Sequence, residues 1–111
     1  MARVRTLLAA DADIEQALLY TFREFGIRKY DDYAALIQEA LADEPRAGRN
    51  RRDIDPEAWV YHISKRGRRA RHLLLYRILD DELVEVLAVL HDAMNLRKHW
   101  RARTGASDDE T

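Results

Sequence analysis

Two apolar runs dominate the pattern, Leu73 to Leu79 and Leu83 to Leu90, joined by the acidic turn Asp80-Asp81-Glu82. Runs of this length, rich in Leu, Val, Ile and Tyr, predict strands rather than helices, and the turn between them predicts a hairpin at the centre of a sheet. In the second run strict alternation puts Val84, Val86, Ala88 and Leu90 on one face and Leu83, Leu87 and Val89 on the other, with Glu85 the exception. A strand apolar on both sides needs a cover on both sides.

The rest of the chain supplies covers. Arg3 to Leu8 alternates and predicts a short strand. Ile14, Ala17, Leu18, Phe22 and Phe25 recur at helical spacing after a cap at Asp11 or Asp13, and Gly26 is the expected stop. Tyr30, Tyr33, Ala34, Ile37 and Leu41 form a second stripe that ends before Pro45. Arg46 to Pro56 reads as a loop. Ala58 to Ser64 is a third strand candidate, with Trp59, Tyr61 and Ile63 on one face, and it is followed by the basic connection Lys65 to Ala70 with Gly67 at the tip. Ala93 to Arg103 predicts a short last helix, packed through Met94, Leu96 and Trp100. The expected architecture is α+β: an N-terminal strand, an antiparallel helix hairpin, a three-stranded antiparallel meander and a short C-terminal helix, in a sheet of about four strands.

At 111 residues the chain is expected to form one domain over residues 1–103, with a frayed acidic tail over 104–111. The absence of cysteine excludes disulfides and thiolate metal sites, and suits a reducing cytoplasm. No run is long enough to span a membrane, and the amino terminus does not read as a signal peptide. His62, His72, His91 and His99 share no ligand spacing, so neither metal nor cofactor is expected.

The formal net charge of −1 conceals a segregation. Asp11 to Glu44 holds nine acids against three bases, whereas Arg46 to His72 holds nine bases against three acids. Arg97, Lys98, Arg101 and Arg103 add a second basic cluster. The molecule is a dipole whose basic parts suit an anionic partner.

Three phrases, in the expected order of elements, carry a resemblance. They are PRAGRNRRDI from Pro45, HLLLYRI from His72 and VEVLAVLHDAMNLRKHW from Val84. Together they resemble the RelE/ParE toxin superfamily of bacterial toxin-antitoxin modules, in its ParE branch. The matching positions are Pro45, Arg46, Gly48 and Arg49; His72, Tyr76 and Arg77; and His91, Met94 and His99. Two departures stand out. Asn95 replaces the usual aspartate, and the connection Lys65 to Ala70 looks longer and more basic than in compact members.

The resemblance implies a cytoplasmic toxin that inhibits DNA gyrase by binding, without catalysis, and is neutralised by a cognate antitoxin. DNA would be reached only indirectly, through that antitoxin. The implied target-binding residues are His91, Met94, Arg97, Lys98 and Trp100, assisted by Arg66, Arg68 and Arg69 of the basic hairpin. Tyr30, Tyr33, Trp59 and Arg77 are the implied antitoxin contacts. The rival branch consists of ribosome-dependent mRNA endonucleases, for which Glu57, Lys65, Arg71, His72, Tyr76 and His91 would have to converge as acid, base and cations. Leu73 stands where many of those nucleases carry a catalytic arginine, which argues against cutting. A non-toxic protein-binding relative is the third possibility.

Overall fold

The computed structural model describes residues 2–20, 27–65, 68–80, 83–91 and 95–105. The elements are β1 (Arg3–Thr6), α1 (Leu8–Tyr20), α2 (Tyr30–Ile37), β2 (Arg49–Asn50), β3 (Trp59–Lys65), β4 (Arg68–Asp80), β5 (Leu83–His91) and α3 (Leu96–Thr104). A π-helical turn, Gln38–Ala42, prolongs α2, and a 3₁₀ turn, Pro45–Ala47, precedes β2. The sheet order is β1-β5-β4-β3-β2, with β1 parallel to β5 and every other pair antiparallel. The α+β architecture is as expected, and the two long apolar strands sit at its centre.

Both faces of β4 and β5 are covered. Ala10, Ile14 and Ala17 of α1, with Ile27, Tyr33, Ile37 and Leu41, bury Leu74, Tyr76, Val84, Val86 and Val89. On the opposite face Leu96 and Trp100 of α3, with Ala58, enclose Leu73, Leu75, Leu87, Ala88 and Leu90. Phe22, Phe25 and Gly26 lie outside the described residues, as do Asp81, Glu82 and Gly67 of the expected turns.

Strict alternation fails within β5. Leu75 pairs with Ala88 but Tyr76 pairs with Val86, so Leu87 is an extra residue in the ladder, a β-bulge. One inserted residue exchanges the faces of all that follow. Val89 therefore joins Val84 and Val86 under the helix pair, while Ala88 and Leu90 turn toward α3.

The bulge sits where β5 loses its neighbour. Pairing with β1 ends at Val86, and Leu7 donates its backbone N–H to Val86 O at 3.1 Å. Beyond that point side chains replace the missing strand. Asp13 Oδ2 accepts the Val89 N–H at 3.1 Å, and Arg103 Nη1 donates to Leu87 O at 2.7 Å. The two side chains also bind each other, Arg103 Nη1 to Asp13 Oδ2 at 2.9 Å. A strand edge, a helix from each end of the chain and one ion pair are thus tied together.

Four expectations are corrected. The first helix begins at Leu8, and Asp11 donates its N–H to Leu7 O at 2.9 Å within the first turn. Neither Asp11 nor Asp13 is its cap, because the former accepts the Tyr30 hydroxyl at 2.9 Å and the latter serves β5. The segment Arg46 to Pro56 contributes a fifth strand, β2, because Asn50 and Arg51 bond Ala58 O at 2.9 and 2.8 Å. The connection Lys65 to Ala70 is mostly strand, since Lys65 already pairs with Arg68 and only two residues separate them. Thr104 belongs to α3 and donates its hydroxyl to Trp100 O at 2.7 Å, with Gly105 closing the helix at φ 77.

Replacing Arg103 by Ala leaves the Asp13 carboxylate and Leu87 O without their cation. We expect a loss of about 2 kcal/mol in urea denaturation, the scale of hydrogen bonds to charged groups. Arg103→Lys restores only part of it, because lysine lacks the planar fork.

Candidate functional site

The Pro45-Arg46-x-Gly48-Arg49 phrase and the His72-x-x-x-Tyr76-Arg77 phrase meet in space. The buried Tyr76 hydroxyl donates to Pro45 O at 2.7 Å and accepts the Gly48 N–H at 3.1 Å. A Cβ on Gly48 would stand 2.5 Å from Val60 O and 2.6 Å from the Tyr76 hydroxyl, so only glycine fits this approach. Burial pushes the Tyr76 hydroxyl up to about 12; the Gly48 N–H opposes that shift and Tyr61 adds to it. Two of the three matching phrases therefore form one structural joint that fixes β2 beside β3. Trp59 stacks obliquely on Tyr76, ring centroids 6.2 Å apart.

Beyond this joint, Gly48, Arg49, Arg51, Tyr61 and His62 line an open groove of about 640 Å³. Arg51 is held by Asp53, donating from Nε and Nη2 at 2.8 Å each. That bond holds the exposed Asp53 carboxyl at about 2, with Arg97 of α3 contributing charge.

The third phrase ends β5. His91 faces His72 across the β4–β5 ladder, ring centroids 5.2 Å apart and nearly perpendicular at 82°. His72 is buried and His91 is exposed. Asn95, in the aspartate position, adopts a left-handed backbone at φ 44 and starts α3. Arg97 and Lys98 on that helix point into solvent.

The implied site residues divide accordingly. Of the target-binding set, His91, Arg97 and Lys98 are exposed near the β5–α3 junction, but Trp100 is only 3% exposed and packs α3 on the sheet. Met94 and Arg66 lie outside the described residues, and Arg68 and Arg69 outside the described side chains. Of the antitoxin set, Tyr30 is 41% exposed and Trp59 half-buried, whereas Tyr33 is core. Burial raises the Tyr33 hydroxyl far above the usual phenol range.

Arg77 is engaged by Glu85, Nη2 to Oε1 at 2.8 Å. Of the six nuclease candidates, Lys65 and Arg71 lie outside the described side chains. Glu57 precedes β3 at the Trp59–Tyr76 end, and Tyr76 is occupied by the joint. Four residues of strand, about 13 Å, separate Tyr76 from His72. Among the described side chains, Glu57 and Tyr76 do not converge with His72 and His91.

A buried carboxylate escaped the sequence reading as a site. Glu85 lies between Arg5 of β1 and Arg77 of β4 in register, and Arg5 Nη2 donates to Glu85 Oε2 at 2.6 Å. Burial alone would raise the Glu85 carboxyl. The hydrogen bonds and charges of Arg5 and Arg77 outweigh it and hold the group below its usual range. The signal was present as the one charged interruption of the last apolar run.

The comparisons with known proteins now bear on these phrases. The family described as "ParE toxin of type II toxin-antitoxin system, parDE" matches residues 4–96. The chain belongs to this ParE toxin family. It is also similar to Toxin ParE1 of Caulobacter vibrioides, at 29% identity over 93 residues, covering 81% of this chain and 88% of that protein. Within the ParE family match, the Pro45–Arg49 and His72–Arg77 phrases meet in the Tyr76 joint, and His91, Arg97 and Lys98 are exposed at the far end of β5 and on α3.

Two outcomes follow. Tyr76→Phe leaves Pro45 O and the Gly48 N–H without partners in a half-buried place and should cost about 2 kcal/mol in urea denaturation. The Glu85 carboxyl titrates lower in the folded state than its ordinary value of 4.5, so its stabilisation is complete above that value and lost as pH falls through the folded one. Denaturation midpoints followed from neutral to acid pH should fall less steeply in Glu85→Gln than in the parent.

Proposed function

We propose that this chain is a toxin that stops DNA gyrase by binding to it, and that a cognate antitoxin neutralises it. What supports a binding rather than a cutting mode is that, among the described side chains, Glu57 and Tyr76 lie at the opposite end of the strands from His72 and His91, with Tyr76 committed to a structural joint. His91, Arg97 and Lys98 form the target surface in this reading. Trp100 acts indirectly by seating α3 on the sheet. The antitoxin covers the exposed Tyr30 and the half-buried Trp59 as a segment that orders on contact.

Purified protein in a gyrase supercoiling assay should abolish supercoiling or trap DNA breaks, and added antitoxin should restore activity. Arg97→Ala with Lys98→Ala should weaken inhibition while leaving the thermal midpoint within a few degrees of the parent, since both residues are exposed. Codon-placed cuts in message on a translating ribosome, with supercoiling untouched, would instead establish the nuclease.

A further inference from the structure

Val4, Val84, Val86, Tyr76 and Ile78 face the helix pair, so alternation places Arg3, Arg5, Glu85 and Arg77 on the other side of the sheet, the side that carries α3. There a single carboxylate serves two guanidinium groups. The Glu85 side chain is 4% exposed, Arg77 is 26% and Arg5 is 56%. The buried carboxylate takes only Nη2 of Arg5, leaving most of its N–H donors turned to solvent. Arg3 stands two residues along β1, exposed and in no ion pair with the described residues. Three arginines stand against two acids on this side, Glu85 and the exposed Asp80 that the register sets across Leu83 from Arg3, so one excess positive charge remains among these groups.

The same side of the molecule presents Arg97 and Lys98 on α3. The acids Glu15, Asp31, Glu39, Asp43 and Glu44 are exposed on the helix-pair segment of the chain. Leu79, at the second irregularity of the β4–β5 ladder, is the exposed large apolar side chain nearest to Arg77 along the chain. A protein partner would normally find an apolar or aromatic anchor at the centre of its contact. Two guanidinium groups fixed by one carboxylate beside the exposed Arg3, with little apolar surface, instead match the phosphate backbone of nucleic acid, which is met by charge and hydrogen bonds and without base readout.

We propose that Arg5 and Arg77, positioned by Glu85, together with the exposed Arg3 form a sequence-independent contact for the phosphate backbone of duplex DNA, supplied by this chain itself. This goes beyond the gyrase reading and does not depend on it. The test is fluorescence anisotropy of the full-length chain against a labelled duplex of arbitrary sequence over a range of salt. Binding should be measurable at about 50 mM salt and weaken steeply as salt rises. The log–log salt slope should shrink by about one for Arg3→Ala, and again for Arg5→Ala in the same chain, with circular dichroism unchanged.

Glu85→Gln should alter affinity at constant pH, whereas Arg5→Lys should keep the slope and lose affinity, because charge survives and the fork does not. No binding at the lowest salt, or an unchanged slope in the Arg3→Ala chain, overturns the inference. So does equal displacement by polyglutamate at matched charge, which would assign the surface to an acidic protein. A chain that inhibits gyrase but fails to bind duplex sinks this inference alone and leaves the gyrase reading standing.

Discussion

The fold depends on one constraint: β4 and β5 are apolar on both faces and lie in the middle of the sheet. Neither strand can stay in water on either side, so the chain before them must provide one cover and the chain after them another. The helix pair buries the first face. The second is closed by a helix of nine residues and the short stretch around Ala58, with Trp100 as its largest contribution. At the usual gain of roughly 25 cal/mol per Å² of apolar surface removed from water, each cover is worth several kcal/mol, and the molecule needs both.

The ion pair between Asp13 and Arg103 makes the two covers interdependent. It ties α1 to α3 across the edge of β5 at the place where the ladder with β1 stops. Exposed strand edges invite pairing with other chains, and a charged side chain seated on the backbone groups removes that invitation. The edge is therefore closed by chemistry drawn from both ends of the sequence, and Leu87 and Val89 keep their hydrogen bonds without a sixth strand.

Much of this was legible beforehand. The lengths of the two apolar runs gave the central hairpin, helical spacing gave the positions of Ile14, Ala17, Tyr33 and Ile37 in the core, and three short phrases pointed to the ParE family. What was not legible has physical causes. A bulge is a property of the pairing and not of one strand, so the exchange of faces after Leu87 could not be read from alternation. Asp11 and Asp13 look like helix caps because capping is local; their partners Tyr30, Val89 and Arg103 are remote in sequence and were invisible to it. Gly48 and Tyr76 were noticed as motif residues, but their hydrogen bond joins positions 28 apart, and its structural purpose emerges only in three dimensions. The exposed set His91, Arg97 and Lys98 was readable from charge and position, and the packing of Leu96 and Trp100 from helical spacing, although Trp100 was also assigned to the target surface, which its burial does not allow directly.

The separation of charge also has a direction. Exposed acids crowd the helix-pair segment, while Arg3, Arg5, Arg97 and Lys98 are exposed on the opposite side of the sheet, so the charge is divided across the sheet. A long polyanion approaching from any angle exerts a torque that turns the basic side toward it before contact, and raised ionic strength blunts that turning within a Debye length. Productive encounters with a heavily charged assembly then depend less on chance orientation than on the salt of the surroundings, and a partner that masks the basic side would cancel the torque from a distance as well as block the surface itself.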